Sequence, residues 1–227
     1  MSPFGSYTKP RIKICCIQNI EEALLAIKHG ASALGLVSEM PSGPGVLSAK
    51  KIAEIAAEVP PGIATFLLTS KQTADAIIEQ QRRCRVNTLQ LVDRLESGSY
   101  EDVRKALPGI AIVQVIHVTG EESVEEAESI AQHVDALLLD SGNPSLPVKE
   151  LGGTGRPHDW SLSKQIRERV KIPIYLAGGL TPENVGKAVR QVGPFAVDVC
   201  SGVRTDGKLD EFKLSALIAG VKSSENR

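Results

Sequence analysis

The chain has 227 residues, 42% of them hydrophobic and 23% charged, which suits one large or two small globular domains with a full core. Its formal net charge is −1 with acids and bases interspersed, so there is no electrostatic case for nucleic acid or an anionic membrane. No apolar run approaches transmembrane length, and the four cysteines (Cys15, Cys16, Cys84, Cys200) lack disulfide-framework or metal-ligand spacing, which points to a reducing, cytoplasmic compartment.

Residues 1–10 are polar, lack an apolar h-region and read as a disordered lead. A strand is predicted at Arg11–Cys16, then a helix over Ile20–His29 whose Ala23, Leu24 and Ile27 share one face. The alternation continues with strands at Ala33–Val37, Ile63–Leu68, Val86–Val92, Ile110–Val115, Ala136–Asp140, Ile172–Ala177 and Ala196–Cys200. Helices are predicted at Ala49–Val59, Thr73–Cys84, Tyr100–Leu107, Ser123–His133, Leu162–Val170, Pro182–Gln191 and Asp210–Val221. Short strands separated by helices imply parallel pairing through right-handed crossovers. A doubly wound open sheet uses the same units. The count of eight favours an α/β fold of the closed (β/α)8 TIM-barrel type, one domain over residues 11–223. Two long connections, Ser38–Ser48 and Ser141–Ser161, follow strands and so belong to the catalytic face.

The last two strands run into glycine: Leu176-Ala177-Gly178-Gly179-Leu180-Thr181-Pro182 and Val199-Cys200-Ser201-Gly202-Val203. Glycines let a backbone approach a ligand and aim its N–H groups at an anion. Thr181-Pro182-Glu183 reads as a helix start, with Thr181 as N-cap and Pro182 at the first helical position. Adjacent strand-to-glycine turns after strands 7 and 8 are how such barrels hold phosphate, so the expected ligand is a phosphorylated small molecule.

Strand alternation places Ile12, Ile14 and Cys16 towards the surrounding helices, and Lys13 and Cys15 into the barrel. The same reasoning puts Gln90, Asp140 and Asp198 in the upper interior. Barrel interiors are usually aliphatic, so this cluster has a desolvation cost. A thiol and a carboxylate on different strands can act as base and acid on one substrate; the alternative is a buried ion-pair network around Lys13 with Cys15 as a small hydrophobe.

These residues carry a resemblance. The run Lys13-Ile14-Cys15, the segment Gly30-Ala31-Ser32-Ala33-Leu34-Gly35, Leu139-Asp140-Ser141, Gly152-Gly153-Thr154-Gly155 and both glycine turns are similar to the phosphoribosylanthranilate isomerase family of tryptophan biosynthesis. The resemblance implies a (β/α)8 fold and a cofactor-free Amadori rearrangement, with no metal. It implies that Cys15 is the general base on the sugar C2 proton and Asp140 the general acid on the ring oxygen. Lys13, Gln90 and Asp198 would contact substrate. The phosphate would rest on N–H groups around Gly153, Thr154, Gly155, Gly178, Gly179, Ser201 and Gly202. The implied partner is a small phosphorylated sugar, handled by a monomer or homodimer. A free thiol titrates near 8.5, within reach of a usable base, whereas the acid must be held partly protonated, as burial would do.

Departures from the family pattern are equally specific. The family usually follows its cysteine with glycine, and here Cys16 stands in that place. Its arginine-bearing segment after strand 2, which meets the anthranilate carboxylate, is replaced by Met40-Pro41-Ser42-Gly43-Pro44-Gly45-Val46-Leu47-Ser48, with no cation before Lys50. Gln90-Leu91-Val92-Asp93 replaces Gln-Leu-His-Gly. Arg94, Arg156 and Arg204 are the candidate substitutes for the lost arginine. A paralogue acting on another phosphorylated sugar derivative, or a non-catalytic phosphosugar-binding barrel, are the alternatives this leaves. His29, His117, His133 and His158 are scattered and read as surface or helix-end residues. Cys84, among Arg82, Arg83 and Arg85, reads as a partly buried helix-end thiol, and Trp160 as either pocket or packing.

Overall fold

Eight parallel strands close on themselves in the computed structural model, which describes residues 10–153 and 155–224. They are β1 (Arg11–Ile14), β2 (Ala33–Val37), β3 (Ala64–Thr69), β4 (Thr88–Leu91), β5 (Ala111–His117), β6 (Ala136–Asp140), β7 (Ile174–Leu176) and β8 (Ala196–Val199). The barrel closes between β1 and β8, whose register sets Lys13 beside Asp198 and Ile14 beside Val199. Eight helices surround it: α1 (Ile20–His29), α2 (Ala49–Glu58), α3 (Ala74–Cys84), α4 (Tyr100–Ala106), α5 (Glu122–Ile130), α6 (Trp160–Arg169), α7 (Val185–Val192) and α8 (Glu211–Ser223). A short hairpin, β9 (Arg204–Thr205) with β10 (Lys208–Leu209), precedes α8.

Two apolar layers follow from strand alternation. Ile12, Ile14, Leu34, Leu67, Leu89, Ile112, Leu137, Leu139 and Val197 face outward and pack with helix residues such as Ile52, Ile77, Ile166 and Leu217. Phe66, Val113, Val115, Ala136 and Leu138 fill the interior. Asn19, Ser48, Thr73 and Ser99 cap α1 to α4 by accepting from backbone N–H groups one turn on. Among the described residues no helix is long and apolar enough to cross a membrane.

Two local expectations are corrected. The helix after β7 starts at Val185, not Pro182. Asn184 explains the delay: its Oδ1 accepts from the Thr181 N–H and its Nδ2 donates to the Gly179 carbonyl, so residues 181–184 close a separate turn. Cys16 does not face the helices. Its φ of 60° takes it out of the strand and turns its side chain into the interior with Cys15. The predicted lead, residues 1–10, lies almost wholly outside the described residues.

Candidate active site

At the C-terminal ends of the strands lies a cleft with about 720 Å³ of free space, its open mouth included. Cys15, Gln90, Asp140, Gly153, Gly155, Gly178, Gly179, Asp198 and Ser201 all line it. Thr154 lies outside the described residues. Gly202 is not part of the wall; its Cα is backed against the Leu180 carbonyl, which leaves no room for a side chain.

Lys13 lies beneath the cleft, fully buried, and donates to Asp198 Oδ2 at 2.8 Å while its ammonium stands 5.0 Å from the centre of the Phe66 ring. Burial disfavours its charge, but Asp198, and then Cys15, outweigh that, and its pKa is raised. The sequence-based network around Lys13 therefore exists, and it forms the floor of the site. Above it, Asp198 Oδ1 and Gln90 Oε1 are buried without a hydrogen-bond partner in the protein. Buried acceptors of this kind normally find a donor, and a ligand hydroxyl would supply one.

Asp140 ends β6, with Oδ1 accepting from the Ser141 N–H at 2.8 Å. Burial raises its pKa above the usual carboxylate value; the Ser141 bond and the nearby His117 and Lys13 oppose this, and Asp198 adds to it. Gly152, at φ 129°, folds over this carboxyl so closely that a Cβ there would lie 2.6 Å from Asp140 Oδ2. Cys15 reaches the same cleft from β1, three strands away by the shorter path round the barrel.

The two long connections meet above the cleft. Ser42 Oγ donates to the Lys149 carbonyl at 2.8 Å, and Met40, Ser42, Pro44 and Leu151 join the wall. Met40, Ser42 and Pro44 belong to the segment that stands in place of the family's arginine-bearing loop; Leu151 was not singled out from the sequence, where the length of its connection was the available signal. His158 was also read too blandly. It sits against Gly178, with its Nε2 paired to Ser163 Oγ at 2.6 Å, and burial, against the pull of Asp159, pushes its pKa down to about 4. It is a neutral wall behind the glycine turn. His29 pairs with Glu211 at the end of α1, and His133 stacks on Tyr100, as surface and helix-end histidines do. Cys84 is buried in the helix layer, where burial outweighs Arg83 and pushes its pKa up to about 11. Trp160 packs against the helix layer and does not line the cleft.

The candidate cations are all engaged elsewhere. Arg94 pairs with Glu126 at 2.8 Å beside a different cavity, and Arg156 pairs with Glu150. Arg204 is buried: its guanidinium forks onto both oxygens of Glu22 at 3.0 Å and donates to the Cys15 and Cys16 carbonyls. Among the described residues lining the cleft there is no Lys, Arg or His.

Fold and site together define a (β/α)8-barrel enzyme acting on a small molecule at the C-terminal mouth. A family model described as N-(5'-phosphoribosyl)anthranilate isomerase matches residues 12–219, and the chain belongs to that family, whose members catalyse an isomerisation. It is 36% identical over 215 residues to N-(5'-phosphoribosyl)anthranilate isomerase 2 of Methanosarcina mazei, covering 94% of each chain. The phosphoribosylanthranilate isomerase structure of Thermotoga maritima superposes with a TM-score of 0.78 at 32% identity, over 94% of this chain and 99% of that one. Another structure of such an isomerase, in complex with reduced 1-(o-carboxyphenylamino)-1-deoxyribulose 5-phosphate, gives a TM-score of 0.75 at 30% identity, with the same coverage.

Proposed function

We propose that the chain converts N-(5-phosphoribosyl)anthranilate to 1-(2-carboxyphenylamino)-1-deoxyribulose 5-phosphate by an Amadori rearrangement, as a step of tryptophan biosynthesis. The observation that carries this reading is the pairing of Cys15 and Asp140 in one cleft, with burial favouring the protonated form of Asp140. Asp140 gives its proton to the ring oxygen as the C1–O bond opens, leaving an iminium between C1 and the anthranilate nitrogen. Cys15 then takes the C2 proton, and the electron pair moves to form the enolamine. A proton returns to C1 as the C2 hydroxyl gives up its own, which yields the ketose and restores both side chains, so no electrons are gained or lost and no cofactor is needed. Lys13 holds Asp198 in place, while the open Asp198 Oδ1 and Gln90 Oε1 accept from substrate hydroxyls. The phosphate sits on N–H groups of Gly153, Gly155, Gly178, Gly179 and Ser201, all of which line the cleft. Cys15→Ala and Asp140→Asn should each lower kcat about 100-fold or more with KM less changed. Turnover near the unmodified rate in either variant removes that residue from the mechanism.

One observation favours a second reading. With no cation among the described wall residues, the aromatic-acid end of the cleft offers no ion-pair partner for a carboxylate. A paralogue working on another phosphorylated sugar derivative fits that wall. Rescue of a tryptophan auxotroph lacking the isomerase, followed by assay of the purified enzyme on phosphoribosylanthranilate, separates the two. Phosphosugar binding without turnover would instead identify a non-catalytic barrel.

A further inference from the structure

The proposed reaction uses one of three thiols at the mouth of the barrel. The other two, Cys16 and Cys200, bring their Sγ atoms to 2.6 Å of each other. Both line the cleft, so a small oxidant entering it meets them directly. Cys84 takes no part, being buried among the helices.

The backbone builds this contact. In the parallel pairing of β1 with β8, Ile14 is level with Val199, and the Cys15 N–H donates to the Val199 carbonyl at 2.8 Å. Plain alternation would point Cys16 away from the barrel. Its left-handed backbone instead swings the side chain across the seam to Cys200. Two neighbours fix it there. Gly45 presses on it so closely that a Cβ at Gly45 would lie 2.8 Å from Cys16 Cβ, and Arg204 binds the carbonyls on either side of its Cα, those of Cys15 and Cys16.

We propose that Cys16 and Cys200 form an oxidisable dithiol, which hydrogen peroxide closes to a disulfide joining the end of β1 to the turn after β8. The more open Cys200 attacks the peroxide as thiolate; the O–O bond breaks, giving a sulfenic acid and a hydroxide that takes up the proton the thiol had released and leaves as water. Cys16 sulfur then attacks that sulfenic sulfur, its proton leaving with the hydroxyl as a second water. The two cysteines lose two electrons, and the peroxide gains them. Contact with Cys16 keeps the Cys200 thiol below its ordinary pKa despite burial, with Arg204 assisting, whereas Cys15 first, then Cys200 and burial, raise that of Cys16. The order of attack follows. Because the bond ties residues 184 positions apart, it shuts the barrel seam covalently and constrains the unfolded chain over most of its length. It also tethers Ser201, a wall residue of the cleft, to the strand that carries Cys15.

The test treats the full chain with peroxide, blocks remaining thiols and maps disulfides by tandem mass spectrometry without reduction. A Cys16–Cys200 link is expected in the unmodified chain and in Cys15→Ser, and none in Cys200→Ser or Cys16→Gly. Cys16→Gly is chosen because glycine accepts the left-handed backbone without strain, so loss of the link there is not loss of the fold. The oxidised chain should melt about 5–10 °C higher than the reduced one, reversibly with dithiothreitol. Four free thiols after peroxide, a link from Cys200 to Cys15, or a link surviving in Cys16→Gly would each overturn the proposal.

Discussion

Asp140 is the side chain on which folding and chemistry pull in opposite directions. A buried carboxyl with a raised pKa binds its proton more tightly in the folded chain than in the unfolded one. Its contribution to stability is therefore fully present below the unfolded carboxylate pKa and is lost as pH rises through the folded value. At neutral pH an ionised Asp140 is a burden on the fold. Asp140→Asn, neutral at every pH and nearly the same shape, should thus abolish most turnover yet raise the urea midpoint at pH 7, with the gain vanishing towards pH 4. An Asn variant less stable than the parent at pH 7 would contradict this assignment of the desolvation. Most interior residues were readable from alternation, since Lys13, Cys15, Gln90 and Asp198 fall where a period of two puts them. Cys16 was not, because a single left-handed residue at a strand end breaks the period and leaves no mark in composition.

At the scale of elements, the glycine turns and long connections announced the mouth, while their details depended on contacts between segments distant in sequence. Thr181-Pro182 resembles a helix start, yet Asn184 spends its side chain on the preceding turn and moves the start to Val185. The loop after β2 shows the same limit. Sequence alone makes Pro44 and Gly45 equivalent places to restore a carboxylate-binding arginine, and the structure separates them. Gly45 has φ 80° and faces Cys16 Cβ, so any side chain there is both strained and obstructed. Pro44 lines the cleft. Pro44→Arg should tighten binding of a carboxylated product analogue roughly 10-fold relative to its decarboxylated counterpart, the gain expected of a charge-assisted contact, with inorganic phosphate affinity unchanged. Gly45→Arg should lose stability and gain nothing. Isothermal titration of both analogues checks this. A strong carboxylate preference already present in the unmodified chain would mean that a cation such as Arg94 or Arg156 moves in on binding.

Across the whole molecule, closure of the barrel is the feature that eight alternating units foretold and that pairing of β1 with β8 realises. Alternation could not say what would occupy the seam, because register between the first and last strands is a long-range property. The seam holds Lys13 against Asp198, a buried ion pair from opposite ends of the chain. Desolvating two charges costs several kcal/mol, which their attraction offsets only while both are present. Lys13→Met leaves the buried Asp198 carboxylate with no counter-charge, and should cost about 3–5 kcal/mol in urea unfolding at pH 7. Asp198→Asn strands the ammonium and should cost a similar amount. The double variant removes both charges, so its loss should fall well below the sum of the two, to about 1–2 kcal/mol or less, giving a coupling energy of several kcal/mol. Additive losses would instead mean that Lys13 stabilises the barrel through its contact with Phe66 and its own packing rather than through Asp198. In the double variant binding of a phosphosugar should weaken even where the fold is intact, because the open Asp198 acceptor becomes a neutral amide, which takes a hydrogen bond from a ligand hydroxyl more weakly than a carboxylate does.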